Sequence, residues 1–264
     1  MHTRVRNLIR RLATREIARP QLGILIFLTS VATVNGQGLL HSAEEYYELG
    51  IWRAKAGNLG AARDDFDKAI RLDSQFAPAY FQRANIRAIE GKHVEAIHDY
   101  DRVIALKPFQ DTAYYNRGVV RLALWQLEVA EADFTRAIEL NPRYAAAFYS
   151  RGVVRQTKGQ LEAAISDFDQ ALDISPRYVE ALNNRWVARR DGGEVDGAIS
   201  DFDMAIRIDP QYAEAYANRG LAFLIQHKDS KAKRDFQRAF SLKRNLRREL
   251  HERIREVRTS REKA

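Results

Sequence analysis

The chain is 264 residues long, 45% hydrophobic and 30% charged, with no cysteine, 14 glycines and 6 prolines. That composition excludes a disulfide-stapled mini-protein, a collagen, a cysteine-ligated zinc domain and a wholly disordered chain. The formal charge of +8 sits at the ends: residues 1–36 and 243–264 each carry +5 and the body between them −2, so the body is no polycation.

Taken along the chain, six arginines (Arg4, Arg6, Arg10, Arg11, Arg15 and Arg19) precede an uncharged run of 13 residues from Leu22 to Val34. A bilayer-crossing helix needs about 20 apolar residues and an export-signal core about 7 to 15, so the run fits export better. Ala32 and Gly36 offer cleavage points. No charge appears between Pro20 and Ala43 either, so an uncleaved anchor is the other form of the same expectation. Residues 1–36 are therefore expected to be a signal peptide or an N-terminal membrane anchor. In both forms the arginines stay in the cytoplasm and the rest of the chain lies in the periplasm, outside the cell or on the outer side of the membrane. Any membrane association would run through residues 20–40. A mitochondrial transit peptide is the alternative.

From Ala43 the sequence repeats every 34 residues without a gap, in six units: 43–76, 77–110, 111–144, 145–178, 179–212 and 213–246. The eighth position of the unit reads Gly50, Ala84, Gly118, Gly152, Trp186, Gly220, and the twentieth is alanine throughout. The twenty-fourth is always aromatic: Phe66, Tyr100, Phe134, Phe168, Phe202, Phe236. Two apolar stretches of helical spacing per unit, parted by a turn that usually holds glycine, make each unit a helical hairpin. Small residues at the eighth and twentieth positions let its helices approach, and the aromatic fills the wedge beside them. One hairpin cannot bury its own apolar face, so neighbours must stack.

These columns at this period resemble the tetratricopeptide repeat over 204 of the 264 residues. The resemblance implies an all-α, right-handed superhelical solenoid of six hairpins. Residues 247–264 continue the register as a basic capping helix with Leu250, Ile254 and Val257 on one face.

A charged pattern runs inside the period. The seventh position reads Leu49, Arg83, Arg117, Arg151, Arg185, Arg219, with Arg253 of the cap in phase, and the twenty-third is aspartate in all six units. Because arginine is missing from the first unit and present in the cap, each aspartate is expected to pair forward: Asp65 with Arg83, and so on to Asp235 with Arg253. A second arginine column at the eleventh position (Arg53, Arg87, Arg121, Arg155, Arg189) stands one turn away and needs acids too, a share of the same aspartates being one source.

In this family partners are usually gripped by the first helices. Here the fifth position reads Tyr47, Phe81, Tyr115, Tyr149, Asn183, Ala217, and the sixth Glu48, Gln82, Asn116, Ser150, Asn184, Asn218. Rings give contact area at small entropic cost and amides can pair with a peptide backbone. Tyr47, Phe81, Gln82, Tyr115, Asn116, Tyr149, Asn184 and Asn218 are thus the candidate partner-binding set, against the alternative that the rings merely pack on their neighbours. No lysine stands at the fifth position, so the clamp some relatives use for a terminal carboxylate is not evident.

The six histidines are scattered and no HExxH or phosphate-loop motif occurs, so no catalytic residue, metal, cofactor or small-molecule substrate is expected. The expected function is a non-enzymatic scaffold that binds a protein or peptide, with no nucleic acid. The alternative is an adaptor whose basic C-terminal helix binds an anionic membrane surface or nucleic acid, against which Glu249, Glu252, Glu256 and Glu262 stand.

Overall fold

The computed structural model describes residues 42–193 and 195–263. The expected signal or anchor at residues 1–36 lies outside them. Among the described residues there is no strand, and no helix is long and apolar enough to cross a membrane.

The chain divides into two compact units, with the boundary in sequence between Pro142 and Arg143. In the first, α1 (Ala43–Lys55) pairs with α2 (Leu59–Leu72), α3 (Ala77–Ile89) with α4 (His93–Leu106), and α5 (Asp111–Ala123) with α6 (Leu127–Leu140). In the second, α7 (Ala145–Thr157) pairs with α8 (Leu161–Ile174), α9 (Val179–Asp191) with α10 (Val195–Ile208), and α11 (Ala213–Ile225) with α12 (Asp229–Leu242), before the terminal α13 (Leu246–Lys263). Within each unit the second helix of a hairpin packs on the first helix of the next, and α13 packs on α11 and α12.

Local sequence explains the boundaries. The first helix opens on a capping box, in which Ser42 Oγ accepts from the Glu45 amide and Glu45 Oε2 from the Ser42 amide, both at 3.1 Å. Asn58 caps α2 through the Ala61 amide. The turns inside the hairpins need a left-handed residue. Glycine supplies it at four of them, but Trp125 (φ 60°) and His227 (φ 59°) occupy it in hairpins three and six.

Glycine at the eighth position is needed for a different reason. At Gly118 a Cβ atom would stand 2.8 Å from Cε1 of Phe134, so the ring of the second helix lies directly on the backbone of the first. The same ring serves the next hairpin: Phe66 packs in one cluster with Ala62 and Ala69 of its own hairpin and Ala79 and Ile86 of the following one. Trp186 takes the glycine's place in hairpin five and is fully buried, its ring 4.7 Å from that of Phe202.

The charged columns differ from the expected pairing. Each twenty-third aspartate is held by its own hairpin: Arg83 and Arg87 both bind Asp99 (2.6 and 2.7 Å), and Arg117 and Arg121 both bind Asp133 (2.6 and 2.8 Å). Arg151 with Arg155 on Asp167, and Arg185 with Arg189 on Asp201, repeat the motif. At the ends one arginine remains: Arg53 on Asp65, because Leu49 precedes it, and Arg219 on Asp235, because Phe223 replaces the second arginine.

Forward pairing exists but comes from the twenty-fifth position. Arg83 reaches back to Asp67 of the preceding hairpin, Arg117 to Asp101, Arg185 to Asp169 and Arg219 to Asp203. The reason is helical: two residues along a helix turn the side chain about 200°, from the partner within the hairpin to the next hairpin. The twenty-third-position aspartates are almost wholly buried, and the hydrogen-bonded cations, two per carboxylate in the four middle hairpins, offset the cost of burying them.

Candidate partner-binding surface

The first helices of each unit carry the residues expected to meet a partner. Most of the rings are core instead. Phe81 is 6% exposed and stands edge-on to Tyr100, and Tyr115 is 1% exposed with its ring 5.7 Å from Phe134. Tyr47 and Tyr149 remain half-buried. Tyr47 sits against Phe66 and edge-on to Phe76, and Tyr149 against Phe168 and Tyr178. Each fifth-position ring therefore lies over the aromatic of its own second helix, beside a small eighth-position residue (Gly50, Ala84, Gly118 or Gly152), as the packing alternative expects. Only Tyr47 and Tyr149 keep part of a ring at the surface.

The amides are buried as residues but joined to one another. In the first unit Asn85 Oδ1 accepts from Tyr100 Oη (2.7 Å) and from Asn116 Nδ2 (3.0 Å), while Asn85 Nδ2 donates to Gln82 Oε1 (3.3 Å). Burial pushes the Tyr47 phenol above its ordinary value, the Gln82 amide hydrogen-bonded to it works the other way, and Glu48 adds to the rise. In the second unit Asn184 Nδ2 donates to Tyr149 Oη (3.0 Å) and Asn218 Nδ2 to Asn183 Oδ1 (2.7 Å).

This network holds each amide in one orientation and leaves defined atoms over. Asn116 Oδ1, Asn218 Oδ1 and Asn183 Nδ2 make no hydrogen bond among the described residues, and none is sealed from solvent. Asn183 Nδ2 and Asn218 Oδ1 are a donor group and an acceptor group, the two kinds that a peptide unit also carries.

Sequence reasoning missed Asn85, Asn183 and Tyr100. The signal for two of them was present: Asn85 is the one polar residue in a ninth-position column of Ile51, Val119, Val153, Val187 and Leu221, and Tyr100 is the one tyrosine in its column of phenylalanines. Both departures fall in hairpin two, and they bond to each other.

Other chemistry has little footing on this face. Among the described residues no group of three His, Cys, Asp or Glu side chains is placed to hold a metal ion. The two arginine columns are committed to the aspartates and offer no free row to an anionic partner.

Comparisons with known proteins bear on the fold. A family model described as tetratricopeptide repeat matches residues 47–111 and 115–179, and a second, described as TPR repeat, matches residues 188–226. No curated protein matches the sequence. Among solved structures, YrrB, described as a TPR protein with an unusual peptide-binding site, is 23% identical at a TM-score of 0.61, over 74% of this chain and 97% of that one. MamA from Desulfovibrio magneticus RS-1 is 20% identical at a TM-score of 0.61, over 64% of this chain and 96% of that one. PilW, described as a type IV pilus biogenesis factor, is 18% identical at a TM-score of 0.62, over 81% of this chain and 97% of that one. The repeat columns, the stacked hairpins and family matches that together span more than half of the sequence agree, and the chain belongs to the tetratricopeptide-repeat family.

Proposed function

We propose that the chain is a non-enzymatic scaffold that receives a protein segment on the first-helix face of each compact unit. The observation that carries this reading is the set of amides pinned by hydrogen bonds with one polar atom left unbonded and not sealed from solvent, at Asn116, Asn183 and Asn218. Groups already fixed in place lose little entropy when they bind, and each unbonded amide atom matches a backbone N–H or C=O. Tyr47 and Tyr149 supply apolar contact beside them. That YrrB is described as having a peptide-binding site supports the reading by analogy of fold.

A photoreactive group at Tyr47 or Tyr149 tests it, compared with one at Met204, an exposed residue of the second helix α10. One discrete partner should be captured at the tyrosines and not at Met204, and Asn183→Leu with Asn218→Leu should abolish the Tyr149 capture. Equal capture at all three positions would refute the reading. Export or anchoring through residues 1–36 belongs to the same proposal, and N-terminal sequencing of the protein recovered from fractionated cells tests it.

A further inference from the structure

In the hairpins the seventh- and eleventh-position arginines are answered by aspartate; the terminal helix adds arginines outside those two columns. Arg247, Arg248, Arg255 and Arg258 are exposed and have no carboxylate partner among the described residues. At 3.6 residues per turn these four and His251 fall within a sector of about 100° on α13. Leu250, Ile254 and Val257 occupy a second sector and are packed against Leu221, Leu224, Phe236 and Phe240. Glu252 and Glu256 fall in a third. Glu249 falls in that third sector as well, and of the acids that look interleaved in the sequence only Glu262, one turn beyond Arg258, shares the arginines' sector.

The basic sector is also fixed in place. His251 stacks on Phe240 of α12, with ring centroids 5.5 Å apart and planes 16° from parallel, and its Nδ1 lies 2.6 Å from the Arg247 carbonyl oxygen. The Arg247 guanidinium lies 5.4 Å over the same Phe240 ring. From Arg247 to Arg258 the row runs about 16 Å along the helix, three turns.

We propose that this row docks an acidic helix of a partner protein, with carboxylates at every fourth residue facing the arginines. Three observations select that occupant. The apolar sector is consumed by the core, so α13 has nothing to insert into a bilayer. The row is only one helix sector wide and is bordered by Glu252 and Glu256, which lower the potential that a plane or duplex of phosphates would meet. A helix lying alongside can meet the arginines and miss the glutamates, and guanidiniums pair bidentately with carboxylates. This surface is separate from the first-helix face and stands or falls independently of the reading given above.

The test measures binding of the full chain, at low salt, to three probes: a helical peptide with glutamate at every fourth residue, a random-sequence DNA duplex and phosphatidylserine-containing vesicles. The peptide should bind more tightly than the duplex or the vesicles. The Arg248→Gln, Arg255→Gln, Arg258→Gln variant should weaken the peptide about tenfold or more, because charged pairs across an interface carry that much. The charge-matched Lys55→Gln, Lys107→Gln, Arg177→Gln variant should leave it unchanged, with helical circular dichroism intact in both. Failure of the peptide to bind, tighter or equal binding of the duplex or vesicles, or an equal loss in the control variant would overturn the proposal.

Discussion

Asp133 accepts hydrogen bonds from both Arg117 and Arg121 while only 3% exposed, so truncating it leaves two cations facing a small cavity. Removing one partner of a buried ion pair costs about 3 to 5 kcal/mol, and Asp133→Ala should destabilise the protein by that amount in urea unfolding. A loss under about 0.5 kcal/mol, the range of ordinary surface changes, would show the pairing to be solvated. Forward pairing would have stranded Arg151 instead; the structure strands Arg117 and Arg121.

Asp65 gives the converse case. It is fully buried but has a single arginine, and burial raises its carboxyl above the ordinary value despite the opposing pull of Arg53 and Lys68. A raised carboxyl means the folded state holds the proton more tightly than the unfolded chain. That contribution is complete below the ordinary carboxylate value of about 3.9 and is lost as pH rises through the folded value. Leu49→Arg restores the missing seventh-position guanidinium at a half-buried site. It should stabilise the protein by about 1 kcal/mol, as a charge-assisted hydrogen bond does. Thermal melts at several pH values should show the gain widening from about pH 4 toward neutrality, since the new cation matters only to the ionised carboxyl.

At the scale of elements, the inner turns carry a built-in contrast. His227 is exposed and holds a left-handed backbone that costs a residue with a Cβ about 1 kcal/mol. His227→Gly should therefore raise the melting temperature, and His227→Val, whose branched side chain tolerates that backbone worst, should lower it. An opposite order would mean that contacts of the histidine ring outweigh the backbone.

The helices were legible for a simple reason: six copies of one pattern, in phase, reveal by column what a single hairpin would hide. The charged ladder was legible in composition but not in connectivity. The twenty-third and twenty-fifth columns are both aspartate-rich and both near the arginines in sequence, and only the turn of the helix between Asp99 and Asp101 decides which faces which neighbour. The candidate surface was read least well. Period alone puts Tyr115 on the first-helix face, but it cannot reveal that glycine at the eighth position leaves room for the ring to sink onto Phe134.

At the scale of the molecule, stability in such stacks is a sum of hairpin and nearest-neighbour terms, and an end is tolerable only if its outer face suits water. The C-terminal end meets this with α13, where Leu250 is buried at 2% exposure and Ile254 and Val257 cover the last hairpin. Below the level of the whole, hairpins two and three present the same kind of sides to their neighbours. Arg117 takes one acid from its own second helix and one, Asp101, from the hairpin before it.

That sameness makes the chain divisible at its own seams. Excising residues 77–110 would join Phe76 to Asp111 without shifting the phase, and Arg117 would find Asp67 where Asp101 had been. The shortened protein should still melt cooperatively, at a lower temperature, whereas a cut of half that length should leave guanidiniums facing apolar side chains and fail to fold. Length, for this molecule, is a quantity that evolution or an engineer can change only in whole steps.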